Sequence, residues 1–348
     1  MKKSLLIMAI AFTTGVVTAS ATCWRINPSP YAGAQFKTVE EAMNDINVLS
    51  GDTLLLDPGQ HSGFGLTREN ITIIGSGYYL DQNKQWGEAQ ETIVGRIWLS
   101  KGSSIEGCSA SIISSEENAH IKRCKFNGIG GLYHSNVIVE QCIISGYSAY
   151  QSPAGITDVC ANWIIRNNII DASGGGAIEG GINSNGIGSI IENNILISDG
   201  WAVIGNIQNA TIRNNIIINT RSGFDDNQIP HAAATVSFTD NNIIQNNVFS
   251  TPEKYANTEY PSNLYVGATI ENTFVNEGSD DAKWQLLDSS AAKGAATHGG
   301  DCGAFGGPTP YVLSGIPQFL PHITEALVPA KPTDGKITVK LKIANQNE

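Results

Sequence analysis

Aliphatic residues recur along the chain in short bursts that bracket a pair of polar positions: NWIIRNNIID at 162–171, SIIENNILIS at 189–198, ATIRNNIIIN at 210–219 and NIIQNNVFST at 242–251. Aligning the second asparagine of each pair gives Asn168, Asn194, Asn215 and Asn247, with Ile165, Ile191, Ile212 and Ile244 three residues earlier. The frame continues upstream through SIEGCSA, HIKRCKF and IVEQCII, which put Cys108, Cys124 and Cys142 in the asparagine slot behind Ile105, Ile121 and Val139. Downstream, TIENTFV extends it to Thr273 behind Ile270. The intervals are 16, 18, 26, 26, 21, 32 and 26 residues, a constant short segment followed by a loop of variable length.

A fixed strand motif with variable insertions predicts a solenoid, in which a unit buries its apolar side only by stacking on its neighbours. Isoleucine and valine enrichment without helical periodicity makes the units strands and excludes helical arrays. The expected architecture is all-β, a parallel β-helix whose coils each hold about three short strands. A tight bend between strands favours a residue that tolerates left-handed geometry, as asparagine does. Amides stacked about every 4.8 Å donate to and accept from the rungs above and below, so repetition satisfies buried polar groups. The aligned asparagines are therefore structural. Cys108, Cys124 and Cys142 are read as reduced thiols stacked in the same slot, although Cα atoms one rung apart also meet the distance of a disulfide. Cys23, Cys160 and Cys302 carry no assignment.

The ends of such a stack need covering, because an open coil exposes core and strand edges. FKTVEEAMNDI at 36–46 predicts a capping helix, with Thr38 and Glu41 as a capping-box pair and Val39, Ala42, Met43 and Ile46 on one face. GDTLLLDPG at 51–59 follows as a turn and a strand. At the other end, PQFLPHITEALVPAKP at 317–332 predicts a strap along the solenoid. Ile337, Val339, Leu341 and Ile343 alternate with Thr338, Lys340 and Lys342, which predicts a half-buried final strand. The domain reading is a β-helix over 22–307 with its N-terminal cap, then strap and strand over 308–348. Residues 1–21 read as an export signal: Lys2 and Lys3, an apolar run from Leu5 to about Val17, then Ala19-Ser20-Ala21. That run is too short to span a membrane. The expected locations are periplasm, outer surface or extracellular space.

Several of these segments resemble known proteins. FKTVEEAMNDI followed by GDTLLLDPGQHSG resembles the opening of the pectin-lyase-like superfamily of right-handed parallel β-helices. CWRINPSP, ITIIGSGYYLDQN at 71–83 and LLDSSAAKGAATHGGDCGAFGGPTPYVLSGIP at 286–317 are similar to exported bacterial right-handed β-helix repeat proteins of poorly defined function. The resemblance covers the whole mature chain and implies the fold. It carries no catalytic set that maps residue by residue. In enzymes of the superfamily a carbohydrate chain lies along one parallel sheet, in a groove walled by long loops.

The longer insertions here are 146–160, 171–188 and 220–240, the last holding Asp225, Asp226 and His231. A net charge of -11 with 15% charged residues argues against nucleic acid as partner. A polyuronate lyase needs cations, and Phe126 to Glu253 holds three basic residues against ten acidic ones. Arg166 and Arg213 sit in the repeat itself, which leaves Arg221 for a substrate. A glycoside hydrolase needs paired carboxylates, and Asp225 and Asp226 with Glu179 or Asp158 are the candidates, near His231. Adjacent aspartates in a loop equally form turns. Tyr133, Tyr147, Tyr150 and Trp201 lie near strand and turn junctions, where they either stack on sugar faces or fill coil ends. The six histidines include no pair at ligand spacing and no Cys-x-x-Cys occurs, so no cofactor is expected; a loop calcium would draw on Asp225 and Asp226 or on Asp280 and Asp281. The functional expectation is an exported, monomeric β-helix that binds a polysaccharide or cell-surface component or serves as an adhesive or structural rod. The alternative is a polysaccharide-degrading enzyme, a hydrolase before a lyase.

Overall fold

The computed structural model describes residues 21–83, 90–131, 134–146, 155–172, 175–180, 186–200, 202–221, 241–317, 322–327, 329, 331 and 336–344. The 1–21 signal reading therefore falls almost entirely outside the described residues. Among the described residues, three parallel sheets of ten, ten and seven strands build a β-helix. Seven coils contribute one strand to each, in the order first, second, third: Ser104–Glu106, Ser109–Ala110 and Ile113–Ser115 form one such turn.

The isoleucine row of the repeat lies on the inner side of the first sheet. Ile105, Ile121, Val139, Ile165, Ile191, Ile212 and Ile244 are register partners from rung to rung, and none is more than 3% exposed. Phe64, Ile97, Ile113, Ile129, Ile156, Ile178 and Ile204 make the matching inner row of the third sheet. Like residues thus stack on like, and each aliphatic side chain is sealed by the rungs above and below it.

The asparagine pair divides two tasks that the sequence reading gave to one residue. The first residue of each corner between first and second sheets takes the left-handed conformation: Arg123, Gln141, Asn167, Asn193, Asn214 and Asn246 have φ between 49° and 57°. The second points inward. Asn168, Asn194, Asn215 and Asn247 are 0% exposed; each amide donates to the next ladder oxygen at 2.9–3.0 Å and to a core carbonyl of the preceding rung at 2.8–2.9 Å. Cysteine fills the same role upstream, with the Cys124 thiol donating to Ile105 O and the Cys142 thiol to Ile121 O. All six cysteines are free. Burial raises the Cys124 thiol to about 12 and holds Cys108 and Cys142 well above their ordinary value.

The ladder ends differently from the expectation. Asn247 hands on to Asn263, whose Oδ1 accepts from it at 3.0 Å. Thr273 is not a rung: it ends a short helix, Ile270–Thr273, capped reciprocally by Thr269 and Asn272. A capped helical turn accommodates the same Ile-x-x-Thr spacing, and Thr269 supplies the cap.

After that helix the chain runs back toward the amino-terminal end. Phe274, Trp284, Ala292, Cys302, Ala304 and Tyr311 bury the outer face of the second sheet, against Ile169, Ile195, Ile216 and Val248. Corner residues clasp this strap from below. Arg123 Nη1 donates to Ile316 O at 2.9 Å, Gln141 Nε2 to Pro310 O at 2.5 Å, and Asn167 Nδ2 to Ala304 O and Gly306 O at 2.9 and 2.7 Å. Thr297 N–H donates to Asn214 Oδ1 at 3.0 Å. Gly307, at φ 73°, presses its backbone on Asn193, where a Cβ would lie 3.0 Å from the amide. The GAFGGPTPYVLSGIP ending is thus the clasped part of this strap, which lies upstream of the 317–332 stretch expected to serve as one; there His322–Leu327 is a strand instead.

The helix Val39–Asn44 forms with Thr38 as N-cap and buries Val39, Ala42 and Met43. Glu41 accepts from Lys37 N–H at 2.8 Å, one residue before the expected cap position. Ile46 lies past the helix end and is 84% exposed, because the backbone turns extended at Asp45. The final segment is an antiparallel pair, His322–Leu327 with Lys340–Ala344. Its expected half-burial does not hold: Ile337, Val339 and Leu341 are 47–57% exposed. No helix among the described residues is long and apolar enough to cross a membrane.

Candidate functional site

The three outer faces offer different chemistry. The second is covered by the strap. The first carries a row of alternating charge, Glu106, Lys122, Glu140, Arg166, Glu192 and Arg213, set opposite one another by register. Arg166 meets Glu140 at 2.6 Å and Arg213 meets Glu192 at 2.7 Å. Burial acts to raise the Glu140 carboxyl, but His120 and Arg166 donate to it and hold it at about 2. This face pairs its own charges, Arg166 with Glu140 and Arg213 with Glu192.

The third sheet is different. Its outer row reads Gly65, Trp98, Ser114, Gly130 and Thr157, then Glu179 and Gly205. Gly65, Thr157, Glu179 and Gly205 are not buried, whereas Ser114 is only 4% exposed. Trp98 is 43% exposed, with the Arg96 guanidinium 4.2 Å above its ring. Of the insertions picked out in the sequence, 146–160 contains the strand Ile156–Val159 and 171–188 contains Ile178–Gly180, both in this sheet, while 222–240 of the third lies outside the described residues.

A bulge interrupts this row. Ile156 pairs with Ile178 and Val159 with Gly180, so Thr157 and Asp158 together face the single residue Glu179. Ile156 and Val159 both point into the core at 0% exposed, and Asp158 has φ 56°. Bulges of this kind re-aim a side chain, and they occur often beside active sites. Burial raises the Asp158 carboxyl, against a lowering hydrogen bond with Thr157. Neighbouring strands lie about 4.8 Å apart, so the two acidic positions occupy adjacent rungs of one sheet.

Asp158 and Glu179 are therefore the two sequence candidates brought together. Arg221 follows the strand Ile216–Asn219, and its N–H donates to Asn219 Oδ1 at 2.9 Å. Tyr133, Tyr147, Tyr150, Trp201, Asp225, Asp226 and His231 lie outside the described residues. Asp281 is 0% exposed and its oxygens take Ser279 Oγ at 2.7 Å and Ser314 N–H at 2.6 Å, with Tyr311 OH at 3.3 Å. That carboxylate locks the strap, and protein donors occupy its oxygens. No group of three or more His, Cys, Asp or Glu among the described residues could hold a metal ion. Trp98 was missed by the sequence reading. Its signal was the RIWLS alternation, in which Ile97 and Leu99 point inward and the residue between them outward.

No protein-family model matches the chain, and no curated protein matches it.

Proposed function

We propose that the chain is an exported β-helix protein of pectin-lyase-like type that holds an extended polysaccharide along the outer face of its third sheet. The observation that carries this reading is Trp98, an exposed ring for a sugar face, on an outer row whose Gly65, Thr157 and Gly205 are small and not buried. The other two faces are spoken for, one by the strap and one by its own ion pairs. Two acids and a single Arg96 along the row favour a neutral or cationic glycan over a polyuronate. The ligand is a polysaccharide or cell-surface component, taken up by a monomer in the periplasm or outside the cell. With no cleavage, the protein is a binding or adhesive rod.

The bulge at Asp158 supports a second reading, a glycoside hydrolase. An acid with a raised pKa beside a second carboxylate is the pattern of a general acid paired with a base or nucleophile, here Asp158 and Glu179. A glycan array run beside a reducing-sugar release assay on the same polysaccharides separates the two. Binding without release supports the first reading; release lost in Asp158→Asn and Glu179→Gln supports the second. Neither binding nor release removes both.

A further inference from the structure

Asp52 lies at the head of the strand Thr53–Leu56 and is 3% exposed. Three donors converge on its carboxylate. Leu49 N–H and Trp24 Nε1 donate to Oδ2, each at 2.8 Å, and Thr22 N–H donates to Oδ1 at 2.7 Å. Burial acts to raise this carboxyl, and the three hydrogen bonds together outweigh it, so the pKa sits below the ordinary value. Every one of these donors is neutral. A buried carboxylate held without a cation is costly, and it is relieved where a positive charge arrives in hydrogen-bond geometry.

Thr22 is the residue that follows Ala19-Ser20-Ala21, where small residues stand one and three positions before a cut. Its own carbonyl accepts from Thr53 N–H at 2.9 Å, so the residue is fixed on both sides of its Cα. We infer that Thr22 is the amino terminus of the mature protein and that Asp52 is the built seat for its α-ammonium group. This rests on the export reading. An endopeptidase of the export machinery hydrolyses the Ala21–Thr22 bond. Water supplies oxygen to the Ala21 carbonyl carbon, the C–N bond breaks, and the Thr22 nitrogen takes up the protons. An α-amine titrates at about 7.7–8.0, so the new terminus is mostly charged at neutral pH. The Thr22 to Asp52 contact, already a hydrogen bond to an ionised carboxylate, then becomes an ion pair in which the donor is charged as well. Processing in this way locks the first coil, since Cys23–Ile26 is the edge strand of the first sheet.

The full-length chain is expressed in an exporting bacterium and the intact mass of the recovered protein is measured. A chain starting at Thr22 is expected. The processed protein is then compared before and after selective acetylation of its α-amine, with hydrogen exchange read at the Thr53 amide and across Cys23–Ile26. Acetylation removes the charge and leaves the N–H, so exchange there speeds up by about tenfold while distant rungs stay unchanged. In Asp52→Asn the acetylation effect disappears; if that variant does not fold, the comparison on the native protein decides alone. A start at any other residue overturns the proposal. A chain recovered uncut removes the export reading as well, whereas a clean cut before Thr22 with no acetylation effect removes only the seat.

Discussion

Asn194→Ala tests the ladder where it is most nearly symmetrical, with one amide above and one below. The Asn194 side chain makes four hydrogen bonds. Oδ1 accepts from Asn168 N–H at 2.9 Å and Asn168 Nδ2 at 3.0 Å. Nδ2 donates to Ile165 O at 2.8 Å and Asn215 Oδ1 at 3.0 Å. Truncation leaves Asn168 Nδ2 with Val139 O, and Asn215 Oδ1 with Asn194 N–H. Asn168 N–H loses its side-chain acceptor in a site that is 0% exposed. A stranded buried donor costs about 1–3 kcal/mol and each of the three remaining lost bonds about 0.5–1 kcal/mol, so the variant should lose about 2.5–6 kcal/mol. Its sequence neighbour gives the contrast. Asn193 takes φ 54°, its Nδ2 has no hydrogen bond, and its Oδ1 meets only Asn214 Nδ2 at 3.5 Å. Glycine adopts that backbone freely at an entropic cost of up to about 1 kcal/mol, so Asn193→Gly should stay within that amount. Urea unfolding with unchanged slope reads both differences. Equal losses for the two variants, or a loss under about 1 kcal/mol for Asn194→Ala, would refute the division of labour within the pair.

Four further outcomes follow from the same geometry. Arg123→Ala should cost about 3–5 kcal/mol and make 303–317 an early site of limited proteolysis, because it removes the donor to Ile316 O and unpairs Glu106, 3.3 Å away. Glu140 has a folded pKa of about 2 against an ordinary 4.5, so its stabilisation is present above pH 4.5 and is lost as pH falls toward 2; Glu140→Gln should remove about 3 kcal/mol of this acid-dependent loss in unfolding curves measured across that window. Cys108, Cys124 and Cys142 should resist a thiol reagent at neutral pH in the folded protein while Cys23 reacts, and all should react in urea; rapid labelling of the three before unfolding would contradict the buried stack. Trp98→Ala should weaken binding of an array-identified polysaccharide by roughly 5–30-fold, about 1–2 kcal/mol by titration calorimetry, with no change in the unfolding midpoint.

The interior was legible because register is constant. Ile165, Ile191 and Ile212 fall three residues before a ladder asparagine in sequence and one above another in space. The outward task of the first asparagine was hidden, since Asn167 earns its role from Ala304 and Gly306, a contact made 137 and 139 residues away. Asn263 was missed for a local reason: no isoleucine stands three residues before it, where Tyr260 takes the place, while TIENTFV kept the spacing and lost the strand to a capping box. Of the site, Asp158 and Glu179 could be named as acids, but not as neighbours. Their meeting depends on a bulge that shifts pairing by one residue, and a single sequence does not display strand register.

Hydroxyl-radical footprinting of the protein, free and saturated with an oligosaccharide that binds it, tests most directly whether the third sheet is the functional face. Protection is expected at Trp98 and along Ile156–Val159 and Ile178–Gly180, with Lys122, Arg166 and Arg213 on the first sheet unchanged. Protection centred on the first sheet or on the strap, with Trp98 oxidised equally in both states, would contradict it.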